Sequence, residues 1–141
     1  MKITDITNGI AKALHEAFGA DYKKYIDEVP QGFKTPAFLI LFLSLEHTQR
    51  LGSRWRITPL FNVQYFPNEK TECPDMALKV QRALREITLV NGVTMRASSP
   101  NSEIIDGVGH NFMQFNFDLF ETEAKEFMGS LTQKPRTGGT T

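Results

Sequence analysis

The sequence predicts an α+β fold: a mainly antiparallel, twisted sheet with two amphipathic helices packed on one face. Two observations carry most of this expectation. Two stretches repeat apolar residues every three or four positions, while others alternate apolar and polar residues with the period of a half-buried strand. Strand-like stretches also follow one another with turn residues but no helix between them, and strands joined that way pair antiparallel.

The elements follow in order. Ile3, Ile6, Ile10, Ala13, Leu14 and Ala17 form the stripe of a first helix over residues 3–18. Lys12, His15 and Glu16 fall on or near its polar side, and Gly19 is its stop. Tyr22 to Val29 reads as a short, half-polar strand, and Pro30-Gln31-Gly32 as a turn. Pro36 then opens the run Ala37-Phe38-Leu39-Ile40-Leu41-Phe42-Leu43. Alternation is lost there, which predicts a strand covered on both faces. Its aromatics and short length favour strand over buried helix. His47 to Ser53 is polar, contains Gly52, and reads as a loop. Trp55, Ile57, Pro59, Phe61, Val63 and Tyr65 alternate with polar neighbours, the mark of a long strand with one apolar face. Pro59 has no N–H to donate and marks a bulge or an outward-facing edge position.

Pro74 suits the first turn of a second helix, with Asp75 favourable near its positive end. Its buried stripe reads Met76, Val80, Ala83, Leu84 and Ile87, and its wet face Lys79, Arg82, Arg85 and Glu86. Asn91-Gly92 is a turn, after which Val93, Met95 and Ala97 alternate with polar residues. Ser98 to Ser102 reads as loop, and Ile104 to Gly107 as a brief strand. Met113, Phe115, Phe117 and Leu119 mark the last strand. Residues 1–125 are expected to form one α+β domain. Residues 121–131 have room for a short helix, and 126–141 form a short helix or flexible polar tail.

Composition sets bounds on function. The chain has 141 residues, 40% hydrophobic and 23% charged, the balance of an ordinary soluble globular protein. Sixteen basic residues offset sixteen acidic ones. Such neutrality gives no bulk reason to bind nucleic acid or a membrane surface, and it resists self-association poorly. The single cysteine, Cys73, excludes an internal disulfide or a multi-cysteine metal site. The N-terminus lacks a signal-peptide core, and the longest apolar run is far below the ~20 residues of a membrane span. Synthesis in a cytoplasm is the expectation.

Chemistry-bearing residues are sparse. His15, His47 and His110 sit in no metal-ligand or catalytic spacing. Cys73 precedes a helix, where a thiol can be activated, but no histidine stands near it in sequence. Gly107-Val108-Gly109 lacks phosphate-loop spacing and reads as a hairpin turn. Glu121, Glu123 and Glu126, near Asp118, read as a solvated face without the loop of a cation site. No catalytic, cofactor-binding or metal residue is assigned. Arg50, Arg54, Trp55 and Arg56 stand out as a candidate protein interface, because Arg and Trp are hot-spot residues. A nucleic-acid patch is the weaker functional alternative, and a core Trp with solvent-facing arginines the plain structural one.

Several segments together resemble a known family. They are the helix from Ile3 to Phe18, the stretch Glu28-Val29-Pro30-Gln31-Gly32-Phe33-Lys34-Thr35-Pro36-Ala37-Phe38, the stretch Gln64-Tyr65-Phe66-Pro67, and the second helix. The chain is similar over residues 1–125 to the small tail terminator proteins of tailed phages and defective-phage elements of Gram-positive bacteria. The resemblance implies a non-enzymatic α+β subunit that assembles as a hexameric ring on the head-proximal end of the tail tube. Its implied partners are further copies of itself, the tube protein, and sheath and neck proteins, in a virion or a phage-tail-like particle. It implies no cofactor. A head–tail connector or neck adaptor is the runner-up, and a small ligand-binding or enzymatic domain the reading from another class.

Overall fold

A computed structural model describes residues 2–120. The short helix read over 121–131, the segment 126–141 and the acidic cluster Glu121, Glu123 and Glu126 lie outside the described residues.

Helix α1 runs over Ile3–Phe18 and buries Ile6, Ile10 and Leu14 completely, the stripe read from their spacing. The Asp5 carboxylate accepts the Lys2 backbone N–H at 3.0 Å, closing the first turn. Gly19 ends the helix at φ +88°, donating its N–H to the His15 carbonyl at 2.8 Å. Lys24 Nζ donates to the Gly19 carbonyl. Partial burial, with Lys23 beside it, lowers the Lys24 pKa.

Strand β1 is Lys23–Ile26, β2 Ala37–Gln49 and β3 Arg54–Phe66. Helix α2 covers Cys73–Ala83 with Pro74 in its first turn. Then come β4 Glu86–Thr88, β5 Thr94–Arg96, β6 Ser98–Ile105, β7 Val108–Gln114 and β8 Phe117–Phe120. The main sheet has the order β1-β2-β3-β7-β6, with β8 also on β3, and β4–β5 form a separate hairpin. All pairs are antiparallel except β1–β2, whose connection lays Phe33 against Tyr25 and Phe66, with ring centroids 6.1 and 5.0 Å apart.

Both helices pack on one face of the sheet. Ile6, Ile10 and Leu14 of α1 and Met76 and Val80 of α2 meet Phe38, Ile40, Phe61, Val63, Tyr65, Met113 and Phe115 of the sheet in one core. At about 25 cal/mol per Å² of apolar surface removed from water, such burial is the main force holding the layers together. Asn111 is the polar exception on this face. Its amide donates to the Val63 carbonyl at 2.9 Å and accepts from Ser102 Oγ at 2.6 Å, and Gln81 of α2 donates to Ser102 Oγ at 2.7 Å. That chain ties α2 to β6, β7 and β3.

Five local expectations are corrected. Residues 47–49 are strand, because β2 pairs with β3 as far as Gln49↔Trp55 and a polar residue suits an exposed ribbon as well as a loop. Burial of β2 on both faces stops at Ile40. Helix α2 ends at Ala83, and Ile87 is buried from β4 instead, where pairing with β5 across the Asn91-Gly92 turn outweighs the helical spacing. Residues 98–102 belong to β6, whose edge position and register shift between Ser98 and Asn101 accommodate Pro100. The first strand is shorter than Tyr22–Val29.

Pro59 interrupts a ladder. Leu60 pairs with Gln114 and Ile57 with Phe117, so β7 and β8 lie on β3 in one register. The break between them falls opposite Pro59, whose carbonyl accepts from the Phe115 N–H at 3.3 Å while its nitrogen donates nothing. Met113 to Leu119 is thus one strand trace with a gap set by a proline.

Two predictions arise from this frame. Tyr65 is buried and its hydroxyl donates to Glu72 Oε1 at 3.0 Å. Burial first, and then the Glu72 carboxylate, raise the phenol's pKa above its ordinary value. The stability this contributes is therefore present below about pH 10 and lost as pH rises through the folded-state pKa. Tyr65→Phe should cost about 1.5 kcal/mol at neutral pH and weaken the alkaline decline, as read by urea unfolding from pH 7 to 11. The β6–β7 turn places Asp106 at φ +53° and Gly107 at φ +78°, a two-residue hairpin geometry. A Cβ at Gly107 would lie 2.7 Å from Lys70 Cε, so Gly107→Ala should cost about 1 kcal/mol in the same assay.

Candidate interaction surface

Beyond Ser44, past the last β3–β7 pair, the sheet narrows to a ribbon. Strand β2 continues to Gln49, turns, and returns as the first half of β3, with β8 on the other side of β3. The turn closes with the Arg50 N–H on the Arg54 carbonyl at 2.8 Å. A register shift between Phe42 and Ser44 leaves Leu43 without a partner on β3, the arrangement of a bulge, which bends and twists a strand.

The ribbon exposes apolar side chains among its polar ones. Leu43 is 45% exposed, Leu45 49% and Leu51 92%. Exposed apolar side chains at one end of the sheet make it a candidate interaction surface.

Arg50, Arg54, Trp55 and Arg56 all lie at this end, and the structure divides them. Trp55 is half-buried and packs against His47, with ring centroids 4.7 Å apart. It lies outside the core cluster, so the core-Trp alternative does not describe it. Arg54 and Arg56 alternate with it along β3 and both approach Asp118 of β8. Arg56 Nε donates to Asp118 Oδ1 at 2.9 Å, and Arg54 Nε stands 4.0 Å from Oδ2. Pairs this exposed add under about 1 kcal/mol, so their main effect is to hold the guanidiniums in place. One carboxylate shared by two arginines also reduces the positive charge that phosphate binding would need.

Sequence reasoning missed Asp118, Leu43 and Leu45 at this surface. Asp118 is far from the arginines in sequence, and only the β3–β8 pairing joins them. The leucines had a signal: the apolar run outlasts the core-facing alternation, which is what an exposed apolar strand looks like.

The remaining candidates disperse. Cys73 is buried with its thiol on the Gly107 carbonyl at 3.5 Å, and burial followed by the Glu72 charge raises its pKa, the opposite of activation. His15 neighbours Lys24, His47 neighbours Trp55, and His110 neighbours Asn62. Among the described residues, no three His, Cys, Asp or Glu side chains converge on a metal position. Gly107 forms the hairpin turn, whereas Gly109 lies within β7. Also among the described residues, no helix is long and apolar enough to cross a membrane.

A family model described as phage tail terminator protein matches residues 5–128, most of the chain. No curated protein matches it.

Proposed function

This chain belongs to the phage tail terminator protein family and is a structural protein of the phage tail, and on that premise we propose that it caps the head-proximal end of the tail tube as a hexameric ring. Capping is a matter of symmetry. One face of the ring matches the sixfold tube, and the other presents a surface that the next tube subunit does not recognise. A closed ring of identical subunits uses heterologous contacts, in which one patch meets a different patch on the neighbour.

The observation that carries this reading is the family match over most of the chain. The projecting ribbon supports it, because exposed leucines beside Trp55 and positioned arginines suit a protein partner. In this reading Arg50, Arg54, Trp55 and Arg56 contact neighbouring subunits. The domain over 1–125 is the assembling unit, and the outer face joins tube and sheath to the neck.

Cryo-EM of particles with and without the gene for this chain tests it. A ring of this chain at the head-proximal tail end, and tails of uncontrolled length or unable to join heads when it is deleted, is the expected result. Normal tails with the chain seated beside the portal would make it a neck adaptor instead. Complete, normal particles lacking the chain would overturn both.

A further inference from the structure

We propose that neighbouring copies join by edge-to-edge strand pairing, with β2 residues 43–49 of one copy against β6 residues 101–105 of the next. The inference rests on the ring reading above and adds its interface.

Strand β1 pairs with β2 only over residues 37–40, so the same side of β2 is unpaired beyond that point among the described residues. Unpaired strand edges recruit other strands, and folded proteins blunt those that must stay free with charge, proline or bulges. The edges here are treated differently. The outer edge of β1 is four residues long and carries Lys23 and Lys24. The first half of β6 is blocked by Pro100 and by the register shift between Ser98 and Asn101. The β2 edge from Leu43 to Gln49 has no proline and one charged carboxylate, Glu46, with Leu43 and Leu45 exposed. The second half of β6 has no proline and likewise one carboxylate, Glu103, with Ile104 and Ile105 exposed at 47% and 46%.

Self-pairing of the β2 edge is disfavoured. The antiparallel register that uses all of residues 43–49 centres on Glu46 and sets two like charges opposite each other. Pairing with β6 has the right topology. Strand β2 is antiparallel to β3, β3 to β7, and β7 to β6, so β2 and β6 run in opposite directions at opposite ends of one sheet. Copies in the same orientation, one shifted along the strands so that its β6 clears the neighbour's β1, therefore continue an antiparallel sheet, and their helix faces stay on one side. Leu45 pairs with Pro59, and Ile104 with Gly109, which places both on the helix side of the sheet. They meet diagonally across the junction as an apolar pair, in the register that sets Thr48 opposite Glu103 and Glu46 opposite Ile105, so that no carboxylate faces another. Such a contact joins two different patches, as a closed ring requires.

Bis-maleimide cross-linking of tail particles carrying the full-length chain tests this. The probe pairs are Leu45→Cys with Ile104→Cys and, independently, Thr48→Cys with Glu103→Cys. Native Cys73 is buried and supplies a low background. The expected result is a covalent ladder reaching six copies for either double variant, and at most trace dimer for each single variant. Rings seen by cryo-EM at the tail end without a ladder in either double variant would overturn the edge pairing and leave the ring standing. Cross-links to the tube protein in place of a second copy would overturn it too. Tails with no ring of the unaltered chain would remove the ring reading and this interface together.

Discussion

Phe38→Ala is expected to lower the free energy of unfolding by about 3–5 kcal/mol, the range for emptying a large aromatic site in a packed core. Phe38 is fully buried on β2, where the sheet meets α1. Its ring centroid lies 5.2 Å from Phe18, 5.9 Å from Tyr22 and 5.2 Å from Tyr65. The substitution removes burial and leaves three aromatic neighbours lining a void that rigid helix and strand backbones cannot close. A domain of this size has about 5–15 kcal/mol in total, so much of its stability would be lost. Urea unfolding followed by circular dichroism reads the change. A loss below about 1 kcal/mol would mean that the cluster collapses around the gap.

Trp55→Ala and Arg54→Glu are expected to spare the fold and abolish assembly. Both side chains stand outside the core cluster, so unfolding midpoints should shift by the equivalent of about 1 kcal/mol or less. A Trp at the centre of an interface typically contributes 2 kcal/mol or more, about 30-fold in affinity per contact, and a ring repeats each contact around its circumference. Arg54→Glu also sets a second carboxylate beside Asp118, reversing the local charge. Native mass spectrometry and the length distribution of tails read the outcome. Wild-type tail lengths with either variant, at normal incorporation, would remove these residues from the interface. Asp118→Ala gives a graded case: it frees both guanidiniums without removing them, and should weaken assembly less than Arg54→Glu.

Much of the fold was legible from local periodicity. The α1 stripe, the alternation of β3 and the Met113–Leu119 trace follow from which side chains must leave water, and each is encoded within a few neighbouring residues. The candidate surface was legible only in part. Arg54, Trp55 and Arg56 were visible, and alternation already put the Trp on the face opposite the arginines, but the Asp118 clasp depends on strand pairing. Ile87 shows the limit most plainly. Its helical spacing after Leu84 is real, yet it is buried from a strand.

By itself, the sequence determined the α+β class, the two amphipathic helices, the core residues on them and the family resemblance. Each of these rests on short-range pattern or on a contiguous signature. Tertiary structure alone decided the parallel β1–β2 pair, the extension of β2 into a ribbon, the placement of β8 beside the arginines, and which edges are open among the described residues. Those features depend on which distant strands meet and in what register. A backbone hydrogen bond is nearly indifferent to residue type, so a local window carries little record of its partner.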